Sequence, residues 1–418
     1  MKLNKSIYFY VFLIFILFPQ FVYAQDELNR YLEISADNNP ELKAKFNEYL
    51  AALEVVSQVK SLPDPQLTFA YFIQPVETRL GPQQASFSLT QMFPWFGTLS
   101  AREDVAVKNA KARYEDFEDA KSNLFFEVKA SYYDLYFIKQ AIRITTSNIK
   151  LLNTIRDIAI IKVESGSVSA VDQLRVDMEL LDLENNLALL KDKWDVNLVK
   201  FNKLLNIEKY SEVIIPEKLW DDDLAYTKQA VLDSLQQNNP QIKNLDYLIK
   251  SYESKEALAK KNGMPNISVG VDYIMIGTSD NDMVDPALSG QDAILFPKIG
   301  ITIPLYRKKY TAMAKEAVLM QEAFENKKLA KTNSLESVFE KVFKEYEDAN
   351  RRIDLYKKQE ILAERAIQML ETEYSTHGKD FEELLRMEKR LLRYSLELEK
   401  ARSDKQTSIA FINYLIGK

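Results

Sequence analysis

The sequence contains no cysteine and a single histidine, His377. Without cysteine the chain has no disulfide, no thiolate metal site, no cysteine nucleophile and no lipidated N-terminal cysteine. One histidine and ten scattered methionines do not supply the ligands of a metal site. Carboxylates are frequent, but they fall on predicted helix faces, where solvated surface explains them. We therefore expect no enzyme, with no catalytic residues, no metal and no cofactor.

An excess of positive charge is also missing. The chain has 55 Lys and Arg against 61 Asp and Glu, which gives a formal net charge of −6. A nucleic-acid-binding protein would show a basic excess or a basic stripe, so we expect no nucleic-acid partner. Hydrophobic residues make up 46% of the chain and charged residues 28%, which is the composition of an ordered protein.

The N-terminus carries one short apolar run. Lys2 and Lys5 flank its start, IYFYVFLIFILF forms the run, and Val22-Tyr23-Ala24 is suitable for cleavage. This order is typical of a secretory signal peptide, so residues 1–24 are predicted to be removed on export. An uncleaved membrane anchor is the alternative, for which the run is short.

A six-residue phrase occurs twice. NNPELK spans residues 38–43 and NNPQIK spans residues 238–243, which is 200 positions later (238 − 38). Pro65 and Pro265 follow at the same offset, and each precedes a strand-like run. We interpret this order as an internal duplication. Asn before Pro is also a helix N-terminal signal, which is the physical role that we assign to the phrase.

Proline and glycine, the strongest helix breakers, are nearly absent from the second part of each repeat. No proline lies between residues 95 and 215, and none follows Pro304. Gly166 interrupts the first of these stretches and Gly378 the second. Each stretch therefore predicts a long helix, a turn at the glycine and a returning helix, as in a long coiled-coil hairpin.

The segments ahead of these helices have a period of two. ISVGVDYIM and KIGITIPL alternate apolar residues with polar or small ones, and LTFAYFI and SFSLTQMF do so less regularly. Such alternation is a weak signature of membrane β-barrel strands, and a half-buried sheet of a soluble domain is the alternative. The candidates for lipid contact are Val269, Val271, Ile299, Ile301 and Ile303.

Four strands cannot close a barrel, and an open sheet edge cannot lie in lipid. If these strands span a membrane, several chains must contribute to one barrel. Twelve strands from three chains is a natural solution, because the smallest membrane barrels have about eight strands.

The order of these features resembles the TolC family of outer-membrane efflux proteins. The resemblance runs from about Asp26 to Lys418 and rests on the NPEL and NPQI openings, the Pro-led strands, QMFPWFGTLSARE, and the turns ESGSVSAVDQL and STHGKDFEELL. It implies a homotrimer in the outer membrane of a Gram-negative bacterium, surrounded by outer-membrane lipid. It also implies efflux of small molecules, with a periplasmic adaptor protein and an inner-membrane pump as partners.

We therefore expect a mainly α fold with a membrane β-barrel part. Two tandem strand–strand–helix–helix repeats would form, as a homotrimer, a 12-stranded β-barrel and a long α-helical barrel. The first repeat, residues 25–206, would contain a β-hairpin at about 66–93 and a helical hairpin at about 98–206.

The second repeat, residues 238–418, would contain a β-hairpin at about 266–304 and a helical hairpin at about 308–416. A connector, residues 207–237, would join the two repeats. Because no extension follows the last helix in the sequence, this connector is expected to form most of the equatorial belt.

The glycine-centred turns are the candidate functional residues. By the resemblance they would form the periplasmic end of the tunnel and dock the adaptor, with Ser165, Gly166, Ser167, Thr376, His377 and Gly378 as candidates. The family carries acidic residues that line the closed aperture just after the second turn, where this chain has Asp380, Glu382 and Glu383. Ordinary surface charge is the alternative for these acids. For His377 the alternative to a proton-sensing role is a plain exposed turn.

A soluble periplasmic coiled-coil adaptor, or another structural protein, is the rival interpretation. An adaptor would carry one helical hairpin between β-domains, with a lipid anchor or an inner-membrane helix. The duplicated hairpins and the two pairs of strands favour the channel.

The loop 277–292 contains Asp280, Asp282 and Asp285, but it lacks EF-hand spacing, so we expect a solvated extracellular loop and not a Ca²⁺ site.

Overall fold

A computed structural model describes residues 20–279, 285–377 and 381–418 of the chain. Most of the predicted signal peptide, Asp280, Asp282, Gly378 and Asp380 therefore lie outside the described residues. The described residues form eight helices and four strands: α1 Gln20–Asn38, α2 Pro40–Lys60, β1 Gln66–Thr78, β2 Gly81–Phe93, α3 Thr98–Glu164, α4 Ala170–Leu204, α5 Lys228–Asn238, α6 Pro240–Asn262, β3 Asn266–Ile276, β4 Ala293–Thr302, α7 Arg307–His377 and α8 Phe381–Leu415.

The second half of the chain repeats the order of the first. Each half runs helix, helix, strand, strand, long helix, shorter helix. Two helices thus stand ahead of the strands in each half, in addition to the predicted strand–strand–helix–helix order. The repeated phrase falls between these two helices, because α1 ends at Asn38 and α2 begins at Pro40, while α5 ends at Asn238 and α6 begins at Pro240. Proline suits the first position of a helix, where its missing N–H is not needed.

The chain divides into two compact units. One unit comprises Phe46–Asp116 and Gln241–Lys331 and contains the sheet. Its strands lie in the order β1-β2-β3-β4, and all neighbours are antiparallel. The central pair, β2 and β3, comes from different halves of the chain, so the two hairpins lie side by side in one sheet.

The other unit comprises Met1–Lys45, Phe117–Pro240 and Thr332–Lys418. It has a large aromatic core in which Tyr132, Tyr136 and Phe201 are fully buried. A separate hydrophobic cluster lies near the turns of the helical hairpins, and we call it the tip core. Its fully or largely buried members are Leu152, Ile155, Ala159, Val176, Leu180, Leu183, Ile367, Tyr374, Phe381, Leu384 and Leu385.

The connector between the two halves packs against the helices of this second unit. The hydroxyl of Tyr132 donates to the carbonyl oxygen of Ile214 at 3.1 Å, and the Lys139 ammonium donates to that of Ile215 at 2.8 Å. Lys405 on α8 is 4% exposed, and its ammonium lies 2.8 Å from the carboxylate of Asp223. A buried cation with a carboxylate partner fixes this segment, because an unpaired one would be costly.

Within the described ranges, no helix combines the length and the apolar character needed to cross a membrane.

Candidate functional site

The sheet has one apolar face. Leu89 of β2 pairs with Leu67 of β1 on one side and with Val271 of β3 on the other. Val269 of β3 pairs in turn with Ile299 of β4. Side chains alternate along a strand, so these paired residues share a face. That face is exposed along the edge strands, since Ile299 is 66% exposed.

The five predicted lipid-contact residues differ in their surroundings. Val269 and Val271 lie on the inner strand β3 and are half-buried by their neighbours. Ile299 and Ile301 lie on the edge strand β4 and are exposed. Ile303 is also exposed, but it follows the last residue of β4, Thr302.

The opposite face of the sheet is polar and small. Ser88 pairs with Asp272, and the Ser88 hydroxyl donates to the Asp272 carboxylate. The ammonium of Lys298 lies 3.1 Å from Asp272 Oδ1 and 3.3 Å from Ser88 Oγ. Gly300 leaves room on this face, because a Cβ there would come within 2.4 Å of Ser268 Oγ. The sheet is therefore amphipathic, with a charge pair on its polar face.

Two edges of the sheet are open. In the part of the chain that the structure describes, β1 has a neighbouring strand only at β2, and β4 only at β3. The outward backbone N–H and C=O groups of β1 and β4 are thus free to pair with another strand.

The first predicted docking turn joins α3 to α4. Gly166 has φ 69°, a left-handed conformation that glycine adopts without steric cost. The amide of Ser167 donates back to the Lys162 carbonyl at 2.8 Å, and the hydroxyls of Ser165 and Ser167 are 2.9 Å apart. Ser169 then caps α4 by accepting from the Val171 amide at 3.2 Å.

The second predicted docking turn follows α7. The Thr376 hydroxyl donates to the carbonyl of Thr372 at 2.8 Å, one helical turn earlier. His377 is the last residue of α7; its side chain, like Gly378, is outside what the structure describes. The Lys162 ammonium reaches the Ser375 carbonyl at 3.0 Å, so the structure brings the end of α3 to the end of α7.

Two of the three predicted aperture acids are described, and both belong to ion pairs. Glu382 lies 3.3 Å from Arg175 of α4, and Glu383 pairs with Arg386 one turn further along α8. Arg175 also lies 3.6 Å from Asp172. Burial raises the pKa of Asp172, and the charge of Arg175 offsets only part of this rise. Both acids stand in the first turn of α8, where the helix dipole favours negative charge.

Cations of the tip are functional candidates that the sequence analysis did not name. They line a cleft of about 660 Å³ between α4 and α8, where five basic residues meet three acidic ones. The only signal for them in the sequence is spacing, since Asp172 and Arg175, like Glu383 and Arg386, are three positions apart on a helix. The charged lining residues are Arg175, Arg386, Lys389, Arg390, Arg393, Glu179, Asp182 and Glu382.

Two buried polar groups of the tip were also not among the residues predicted from the sequence. Glu388 is 1% exposed, and among the described residues neither carboxyl oxygen has a hydrogen-bond partner. Burial raises the pKa of Glu388 to about 7, and the nearby Glu371 adds to the rise. The hydroxyl of Tyr374 is likewise buried without a described partner, and burial, with a smaller effect of Asp172, raises its pKa to about 12.

The sequence did contain a signal for Glu388. It stands four positions after Leu384 and three before Leu391, which places an acid at a position of the apolar helical period.

Comparison with known proteins finds a family match in the first half of the chain. Residues 32–206 match the model of the family described as outer membrane efflux protein, and this match begins in α1 and ends just after α4. No curated protein matches the sequence.

Solved outer-membrane channels share the fold at low sequence identity. The outer-membrane channel OprN is 16% identical, with a TM-score of 0.75 over 96% of this chain and 92% of that one. CusC, studied for transmembrane channel formation, is 14% identical, with a TM-score of 0.78 over 94% of this chain and 92% of that one. VceC, an outer membrane protein of Vibrio cholerae, is 14% identical, with a TM-score of 0.76 over 95% of this chain and 98% of that one.

These findings agree with the amphipathic sheet and the paired helical hairpins, and they do not favour the alternative of a soluble adaptor. Residues 32–206 thus match the outer membrane efflux protein family, and the whole chain shares the fold of solved outer-membrane channels, which together support an efflux channel of the outer membrane.

Proposed function

We propose that three copies of the chain form one channel, in which their sheets close a 12-stranded barrel and their helical hairpins form a tunnel. The observation that carries this proposal is the sheet, with four strands, an exposed apolar face and two open edges. Backbone groups within a bilayer must be satisfied by the protein itself, so the outer edges of β1 and β4 need strands from other copies. Twelve strands lie within the size range of membrane barrels.

In this assembly one face of the sheet contacts lipid and the other contacts water. The apolar face, including Val269, Val271, Ile299 and Ile301, contacts lipid. The polar face, with the pair of Asp272 and Lys298, lines an aqueous path. A lumen with both signs of charge suits transport of diverse small molecules, because it does not select strongly by charge.

The helical tip is the periplasmic entrance in this proposal, and it docks a periplasmic adaptor that connects the channel to an inner-membrane pump. Ser165 to Ser167 and Thr376 to Gly378 are the docking residues, and Asp380, Glu382 and Glu383 are the acids of the aperture. The ion pair of Arg175 with Glu382 supports a closed state, because it links α4 to α8 next to both turns. Opening that separates these helices breaks this pair.

Cysteine cross-linking tests the trimer directly, because the chain has no native cysteine. Thr68→Cys in β1 and Thr302→Cys in β4 place one thiol on each edge strand. A flexible bis-maleimide should yield covalent species in outer membranes that end at the trimer, since a closed ring has no further edge.

Ser86→Cys with Ile274→Cys is the matched control. These residues pair across β2 and β3 of one chain, so the reagent should join them without raising the molecular mass. Covalent dimers that never reach the trimer, or a ladder that continues beyond it, would rule out the closed three-chain barrel.

A further inference from the structure

Glu388 is an acid built into an apolar environment. It lies on the face of α8 that also buries Phe381, Leu384 and Leu385 of the tip core. Only 1% of the residue is exposed, and both carboxyl oxygens are inaccessible and lack a partner among the described residues. The carboxyl group is therefore shielded from bulk solvent in this packing, and the side chain is not a surface acid.

Among the described residues, no cation forms an ion pair or hydrogen bond with this carboxyl group. On α7 another acid, Glu371, interacts with Glu388 and opposes its ionisation. On α4, Arg175 is engaged by Asp172 and Glu382. Two further cations around the tip core also have partners: Lys389 of α8 pairs with Glu179 of α4, and Lys162 of α3 bonds to the Ser375 carbonyl of α7.

An ionised carboxylate without hydrogen bonds is far costlier to bury than a neutral carboxylic acid. Two states of the tip follow. With a proton on Glu388, α8 packs against α7 and α4 as the structure describes. Without the proton, the carboxylate must gain water, and it gains water only if the first turns of α8 separate from the tip core.

We propose that Glu388 is a proton-binding site that couples the packing of the helical tip to the pH of the periplasm. Acidification tightens the tip, and loss of the proton loosens the start of α8. The proposal depends on the proposed function in one respect only, namely that the tip is the entrance of the channel. A proton is the ligand, and no cofactor or partner is required.

The direction of the pH dependence follows from linkage. The pKa of Glu388 is raised from its ordinary value of 4.5 to about 7 in the packed tip. Between these values the packed state holds a proton that the opened state releases, so opening becomes easier as pH rises, by up to about tenfold per pH unit. Below pH 4.5 and above about pH 7 the dependence levels off.

Hydrogen exchange of the assembled full-length protein tests the proton site. Peptides that cover residues 381–392 should lose protection, after correction for intrinsic exchange, as pH rises through this window. Glu388→Gln imitates the protonated acid, so it should fold normally and keep high protection at every pH. Glu373→Gln is the matched control: it removes an exposed acid near the end of α7 and should retain the pH dependence of the wild type.

A second variant leaves the tip core untouched. Glu371→Gln removes the exposed acid that opposes ionisation, so the upper end of the window should move to lower pH. Wild-type protection that does not change across the window, or a Glu388→Gln variant with wild-type pH dependence, would overturn the proposal.

Conductance in planar bilayers separates this proposal from the proposed function. If protection responds to pH through Glu388 and conductance follows, both stand. If protection responds and conductance does not, the proton site stands and the assignment of the tip as the entrance fails.

Discussion

The side-chain amide of Asn239 donates to the carbonyl oxygen of Leu415, 2.9 Å away, and Asn39 makes the corresponding bond to Leu204 at 3.4 Å. Leu204 and Leu415 are the last residues of α4 and α8. Each repeated phrase is therefore tied to the end of the last helix of its own repeat. Asn39 also accepts from the Leu42 amide at 3.0 Å, which caps α2.

The ends of α4 and α8 match as well. Asn206, with φ 51°, and Gly417, with φ 73°, are both left-handed residues just after the helix. The next amide donates back to Asn202 in the first repeat at 3.1 Å and to Asn413 in the second at 2.9 Å, the pattern of a Schellman motif. The phrase is thus repeated because each repeat closes on itself in the same way.

Replacing the buried amide should weaken this closure. Asn239→Ala removes the hydrogen bond to Leu415, so the Leu415 carbonyl oxygen loses this donor. Water does not easily replace it, because residue 239 is only 1% exposed. We expect a loss of about 1–3 kcal/mol in the free energy of unfolding, measured by urea titration of helical circular dichroism in detergent. Asn238→Ala is the control, because that neighbour is exposed, and its effect should stay below about 0.5 kcal/mol. Equal effects of the two variants would contradict the closing role.

A charged side chain on the apolar face of the sheet should prevent assembly in the membrane. Val271→Arg places a cation opposite Leu89 of β2, at a cost of about 2–4 kcal/mol if the site is near mid-bilayer. We expect loss of the heat-modifiable trimer from outer-membrane fractions. Ser86→Arg on the polar face is the matched control and should assemble. Normal assembly of the Val271 variant would argue against lipid contact.

The acids after the second turn should bind cations at the aperture. The triple variant Asp380→Asn, Glu382→Gln and Glu383→Gln removes three negative charges from each chain, and nine from a trimer (3 × 3). Like charges close together attract multivalent cations, so we expect weaker cation block in planar-bilayer conductance. Stability should change by at most about 1 kcal/mol for each exposed pair that is lost. Unchanged block would remove these residues from the aperture.

The link between α4 and α8 should hold the closed entrance. Arg175→Ala breaks the pair with Glu382, so we expect higher resting conductance in planar bilayers. Arg386→Ala is a suitable control, because its pair with Glu383 lies within α8 and joins no second helix. If both variants raise conductance equally, loss of charge and not loss of the link explains the effect.

Periodicity and punctuation in the sequence were enough to predict the mainly helical fold with a small sheet, and the resemblance built on them gave the family. These are local properties, since helix breakers, a period of two and a repeated phrase each act over a few residues. The lipid-contact, docking and aperture residues chosen in this way remain predictions. For the acids, position beside the turn was a local signal, whereas their pairing with Arg175 and Arg386 was not anticipated.

Only the tertiary structure decided which distant groups meet. The pairing of β2 with β3 joins residues from different halves, and the bond of Asn239 to Leu415 spans 176 positions. Glu388 is the clearest case: its sequence position marks it as an acid on an apolar stripe, but burial and the absence of a described partner depend on three helices packing around it. Local sequence specifies the conformation of a segment, whereas desolvation and ion pairing depend on what the folded chain places beside each side chain.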